Sequence, residues 1–168
     1  MLRKMSVDSA HSGTEFNPQS TQLILPETIL SLMLSHATTT YPEECCGLLL
    51  GVFQEGQKAK RVEEGKPMSN VFQKEERYHR FTIDPKEFME ADIGAEARGL
   101  EIVGIFHSHP NAPAKPSQYD VSHAWPSLSY VVIEIRNGKP VETRSWVLKD
   151  DRTEFVQEKV TMIGDKIG

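Results

Sequence analysis

The sequence predicts a single α/β domain in which a mixed central β-sheet is flanked by helices, and three observations carry that reading. Apolar runs at 47–53, 102–106 and 128–135 have the length and branching of buried strands. Segments at 26–37 and 84–99 carry apolar residues at helical spacing behind helix-start signals. No repeat or linker divides the 168 residues, a length that builds one core without staples.

Taken in order, residues 1–20 are rich in Ser, Thr, Asn, Asp and Gly and read as a flexible tail ahead of a domain at 21–168. Leu23-Ile24-Leu25 is a short strand. Pro26 then opens a helix with Ile29, Leu30, Leu32, Met33 and Leu34 on its apolar face. That helix is expected to end near Ala37, because Thr38-Thr39-Thr40 and Tyr41-Pro42 continue a helix poorly. The strand at 47–53 and a more alternating one at 59–63 form a hairpin around Glu55-Gly56-Gln57. A loop through Gly65, Pro67 and Asn70 leads to a strand candidate at 78–83. Asp84 as N-cap, Pro85 at the first position and Gly99 as the stop frame a helix at 86–98, with Phe88, Met89, Ile93 and Ala97 as its core stripe. A short helix is expected at 119–124. Strands at 128–135 and 141–148 are joined by the hairpin turn Asn137-Gly138. For 153–163 both helix and frayed strand fit, and the spacing of Phe155, Val156, Val160 and Ile163 slightly favours a helix.

The formal charge of −5 gives no electrostatic footprint for nucleic acid or an anionic membrane. No apolar run reaches membrane-spanning length, and 5–22 lacks the apolar core of a signal peptide. Cys45 and Cys46 are adjacent, cannot easily bridge each other and belong to no C-x-x-C pair, which fits a reducing cytoplasm.

The chemistry concentrates at 102–120. The strand at 102–106 runs into His107-Ser108-His109-Pro110, and alternation puts both imidazoles on one face and Ser108 on the other, where it serves the backbone. Pro110, Pro113 and Pro116 force a loop that delivers Ser117, a good N-cap, and Asp120 in the first turn of the next helix. Two neutral nitrogens and one carboxylate oxygen suit zinc with a fourth position left for water. The plain alternative is a capped strand end followed by an ordinary helix start. Cys46 reads as a small core residue and Cys45 as a surface residue or one behind the site. His11, His36, His79 and His123 are scattered, and only His123 is near enough to the motif to matter. Trp125 and Trp146 read as packing residues.

The string H-S-H-P, ten intervening residues before Asp120, and Ser117 three residues ahead of it resemble the JAMM or MPN+ metalloprotease motif. The upstream glutamate of that motif precedes a small-residue strand, and 41–51 (YPEECCGLLLG) matches this context, with the position falling on Glu44 rather than Glu43. The likeness spans about 23–155, in the flavour of short prokaryotic members. It implies a cytidine-deaminase-like fold, a zinc ion held by His107, His109 and Asp120, Glu44 as general base, Ser117 as oxyanion donor and Asn70 as a substrate contact. It also implies hydrolysis of the peptide or isopeptide bond after the C-terminal Gly-Gly of a ubiquitin-like or sulfur-carrier protein, whose tail would add along a sheet edge. The chain runs directly from Asp120 to the strand at 128, without the insertion that gives relatives polyubiquitin linkage choice. A catalytically silent MPN interaction module is the alternative, although such modules lack one or more of these residues. A nucleoside deaminase needs H-x-E and P-C-x-x-C, both absent. A cell-wall peptide hydrolase fits poorly with the missing export signal, except in a phage-tail or lysis context. Oligomeric state and any role of the tail stay open.

Overall fold

A computed structural model describes residues 21–54, 56 and 58–164, so the tail expected at 1–20 lies outside the described residues. In chain order the elements are β1 (Gln22–Pro26), α1 (Glu27–Thr40), β2 (Cys46–Gln54), β3 (Ala59–Met68), α2 (Pro85–Ala97), β4 (Glu101–Pro110), α3 (Gln118–His123), β5 (Ser129–Arg136), β6 (Lys139–Leu148) and β7 (Phe155–Ile163).

The seven strands form a mixed sheet in the order β1-β3-β2-β4-β5-β6-β7 that closes into a barrel. Closure comes from β1, which pairs in parallel with β3 on one side and with β7 on the other. The remaining parallel pair is β4 with β5, and the other neighbours are antiparallel. Among the described residues every strand therefore has a neighbour on both sides, so a tail added along the sheet would have to use the lengths of strand that pairing leaves free.

Two helices cover it. Helix α1 buries Ile29, Met33 and Ala37, four residues apart, against Leu23, Leu25, Val103, Val131 and Ile133. It continues past Ala37 to Thr40, with the Thr38 hydroxyl donating back to the Leu34 carbonyl at 2.8 Å. Pro42 then keeps Tyr41 out of the helical region. Helix α2 starts as expected, with Asp84 Oδ1 accepting from the Lys86 and Glu87 amides. Its core stripe differs: Ala91 and Ala95 pack on Leu48, Leu50 and Ile102, Phe88 is partly covered, Ala97 is exposed, and Met89 and Ile93 are 44% and 60% exposed. Small side chains let this helix lie close to the sheet, which turns the larger ones outward.

Three segments depart from expectation. Strand β3 runs through Gly65 and Pro67, because β1 leaves it after Arg61 and Pro67 then needs no partner on that side. A Cβ on Gly65 would stand 3.0 Å from Ile29, so glycine lets α1 approach there. Residues 78–83 form no strand: 78 and 79 lie in a turn and 80–83 have no regular structure, tied to Asn70 and Val71. Within the stretch at 153–163, Phe155–Ile163 is β7 and none of it is helix. Its inward position between Val156 and Val160 is Glu158, and a carboxylate there breaks the alternation that would have marked a strand.

Glu158 is 2% exposed inside the barrel, and Lys60 on β3 is 1% exposed with Nζ at 3.4 Å from it. Thr21 and Ser145 donate hydroxyl bonds to the same carboxylate at 2.9 and 2.7 Å, and Ser129 donates a third. Burial lowers the Lys60 pKa, and the Glu158 carboxylate works against that.

Candidate metal centre

The site forms where β4 ends beside β2. His107 and His109 lie on one face as period-2 alternation requires, both buried, with their Nε2 atoms 3.1 Å apart. Ser108 on the opposite face accepts a 2.8 Å bond from the Cys45 amide, and its own amide donates to the Cys45 carbonyl at 3.1 Å. This double tie holds the turn before β2 against β4 and brings Glu44, also buried, to 3.7 Å from His109 Nε2.

The proline loop returns Asp120 to the same place. Its Oδ2 lies 3.4 Å from His107 Nε2 and 3.5 Å from His109 Nε2. A capping box fixes it: Asp120 Oδ2 accepts from the Ser117 amide at 2.7 Å while Ser117 Oγ accepts from the Asp120 amide at 3.1 Å. A hydroxyl that accepts still has one hydrogen to give, so Ser117 keeps a donor at the rim of the site.

Glu44, His107 and His109 offer ligand atoms within 4.8 Å of one another, and Asp120 reaches both imidazoles. The donor set fits a divalent metal ion. His109 Nδ1 stands 2.8 Å from the Pro113 carbonyl, an acceptor, so that nitrogen carries the proton and Nε2 presents a lone pair. His107 is stacked under the Phe81 ring at 4.7 Å, and its Nδ1 is a buried side-chain nitrogen without a hydrogen-bond partner among the described residues.

The two carboxylates are driven in opposite directions. Burial pushes the Glu44 carboxyl from an ordinary 4.5 up to about 7, against the opposing charges of His107 and His109. Burial also acts on Asp120, but the His107 charge and the bonds from His107 and Ser117 outweigh it and hold that carboxyl well below the usual range. His107 is raised despite its burial, because the Asp120 carboxylate faces it. Carboxyls separated in this way take different roles, one trading protons and the other staying charged.

A stability prediction follows from Glu44. A carboxyl raised in the folded state stabilises fully below its unfolded pKa of 4.5, and that contribution is lost as pH climbs through about 7. The metal-free protein should therefore lose unfolding free energy across that window relative to Glu44→Gln. Urea denaturation of both proteins in chelator at the two ends of the window measures it, and parallel curves would refute it.

Asn70 lies in the loop after β3, with its side-chain amide bonded to main-chain groups, and is not among the residues lining the cavity beside His107 and Asp120. Cys45, expected at the surface or behind the site, is buried, and burial raises its thiol to about 11, which makes it a poor nucleophile. Cys46 is buried in the core. His36 Nε2 sits 3.2 Å from both the Cys46 and Met68 carbonyls, a structural role. His123 stacks on Tyr119 at 4.1 Å. Trp146 is buried, and Trp125 is exposed.

Sequence reasoning missed Phe81 and the cavity next to it. About 200 Å³ of space opens beside His107 and Asp120, walled by Phe81, Ile83, Ile105, Tyr119, Tyr130 and Phe155. The walls come from five separate parts of the chain, so no local spacing announces them.

Residues 26–149 match the family described as prokaryotic homologs of the JAB domain. The chain is 31% identical over 129 residues to the CysO-cysteine peptidase of Mycobacterium tuberculosis, covering 76% of this chain and 84% of that protein. It is 30% identical over 130 residues to tail tip assembly protein K of Escherichia phage N15, covering 71% of this chain but only 48%, about half, of the phage protein. The solution structure of protein DSY2949 from Desulfitobacterium hafniense superposes with a TM-score of 0.72 at 34% identity, covering 85% of this chain and 94% of that one. With the His-x-His strand end, the capped aspartate and the upstream glutamate gathered at one site, and with most of its length matched, the chain belongs to the prokaryotic JAB-domain family.

Proposed function

We propose that the protein is a zinc-dependent peptidase that hydrolyses the peptide or isopeptide bond after the C-terminal Gly-Gly of a ubiquitin-like or sulfur-carrier protein. The observation that carries this reading is the convergence of two carboxylates on a histidine pair: Asp120 lies 3.4 and 3.5 Å from the Nε2 atoms of His107 and His109, and Glu44 lies 3.7 Å from His109 Nε2. His107, His109 and Asp120 would hold the ion. When bound, zinc supplies Lewis acidity and makes a coordinated water easier to deprotonate.

The chain's own groups do the rest. Glu44, 3.7 Å from His109 Nε2, takes a proton from the attacking water and returns it to the departing amine, as a carboxylate within hydrogen-bond reach can do. Ser117 donates its hydroxyl to the substrate carbonyl oxygen as charge builds there, a contribution of about 3 kcal/mol by the usual size of one oxyanion donor. Asp120 stays charged and keeps His107 oriented.

The CysO-cysteine peptidase likeness supports a carrier-protein substrate. The silent-module alternative is weakened because His107, His109, Ser117, Asp120 and Glu44 are all present. The peptidase domain is proposed to occupy 21–168 behind a tail at 1–20, with a cytidine-deaminase-like architecture. A cytoplasmic setting is proposed from the two buried free thiols. No helix among the described residues is long and apolar enough to cross a membrane.

The test is metal content together with cleavage of a fusion in which a ubiquitin-like domain ends in Gly-Gly plus a short extension. Close to one zinc per chain and a single cut after Gly-Gly are expected, abolished by chelator and unaffected by serine- or cysteine-directed reagents. Inactivation by iodoacetamide without chelator would overturn the metallopeptidase reading.

A further inference from the structure

We infer that Asn70 is a positioning residue that sets Glu44 and Phe81 for the reaction and does not itself touch substrate. The inference rests on the reading of Glu44 as general base. A carboxamide has two hydrogens to give and two lone pairs to fill. In Asn70 all four are committed to main chain: Nδ2 donates to the Glu44 carbonyl at 3.0 Å and to the Arg80 carbonyl at 2.9 Å, and Oδ1 accepts from the Phe72 amide at 3.1 Å and the Thr82 amide at 3.2 Å. Nothing is left for a ligand.

The groups it holds are those the reaction needs held. Glu44 sits on a turn between α1 and β2 with no regular structure of its own. Its peptide is fixed from both sides by the loop after β3: the amide donates to the Arg77 carbonyl at 2.7 Å, and the carbonyl accepts from Asn70. Phe81 lies between Arg80 and Thr82, both bonded to Asn70, and its ring stacks on His107 and walls the cavity beside it. One half-buried amide thus ties the carboxylate's turn to the stretch carrying that ring. The stretch at 78–83 belongs to no strand or helix; besides Asn70 it is held by the Val71 amide donating to the Thr82 carbonyl at 2.9 Å and by Arg80 over the Tyr119 ring.

The experiment uses the full chain as Asn70→Ala and Asn70→Asp, with Glu44→Gln beside them, reading metal content, kcat and KM on the Gly-Gly fusion, and amide hydrogen exchange. Metal content should stay at the wild-type value in both Asn70 variants, since the histidines sit on β4. In each, kcat should fall about 10²-fold with a smaller change in KM, the usual cost of displacing a catalytic group by about an ångström. Exchange at the Phe72 and Thr82 amides should rise in Asn70→Ala. It should stay slow in Asn70→Asp, which keeps an acceptor for them but turns an oxygen toward the Glu44 and Arg80 carbonyls. If Asn70→Ala fails to fold, the aspartate variant alone decides, because a pure folding role would spare its kcat.

A raised KM with unchanged kcat would mark direct substrate contact and overturn the inference. So would unchanged exchange at Phe72 and Thr82 in Asn70→Ala, a measurement that needs no turnover. If Glu44→Gln is inactive while both Asn70 variants keep kcat, only the positioning role falls. If Glu44→Gln keeps its rate, the general-base reading falls and takes the role of Asn70 with it.

Discussion

Glu44→Gln is expected to retain zinc at one per chain and to lose turnover by about 10³-fold, the middle of the range for a general base. The amide keeps the size and polarity of the side chain but cannot accept and return a proton. Zinc should stay because His107, His109 and Asp120 meet one another without it. The loss should fall on kcat, since the group acts in the transition state and not on the bound substrate. With the metal removed from both by chelator, the variant should be more stable than the wild type at neutral pH, because it no longer buries a carboxyl that ionises near 7. Metal analysis, steady-state rates and a denaturation curve on one preparation test all three, and a rate within a few-fold of wild type would refute the assignment.

The second large effect lies away from the site. Glu158→Gln should destabilise the protein by about 3–5 kcal/mol, because it leaves the Lys60 ammonium buried without its counter-charge. Replacing both residues, as Lys60→Met with Glu158→Leu, should recover part of this and not all. The hydroxyls of Thr21, Ser129 and Ser145 each donate to Glu158 and would lose that acceptor, at about 1–3 kcal/mol for each one left unsatisfied. Urea denaturation of the single and double variants reads the difference, and a loss under about 1 kcal/mol for Glu158→Gln would show that the pair contributes little.

The site was legible in the sequence to the extent that its geometry is local. His107 and His109 share a face because strands alternate, and Asp120 is placed by a capping box that needs only Ser117 three residues earlier. Glu44 was reached through the resemblance; on its own it reads as an ordinary helix-end carboxylate. What could not be read depends on distant partners. The full use of the Asn70 amide involves residues near 44, 72, 80 and 82 together, and the stacking of Phe81 on His107 has no sequence spacing that marks it. The helical reading of 153–163 failed for the same reason. A buried glutamate makes sense in a strand only once Lys60 and three hydroxyls are seen around it.

The closure of the barrel by β1 has a consequence for how the chain acquires its fold during synthesis. The bond from Thr21 to Glu158 spans 137 positions, and β1 must pair with a strand that leaves the ribosome long after it. Until β7 arrives, β1 has one parallel neighbour over three residues, and the Lys60 ammonium faces the barrel interior without its acid. Burial of Lys60 in the barrel thus waits on the strand that carries its counter-charge. Such a topology has high contact order and folds slowly. The C-terminal strand acts as the latch, and an incomplete chain would expose the pairing sides of β1 and β6 to neighbouring chains.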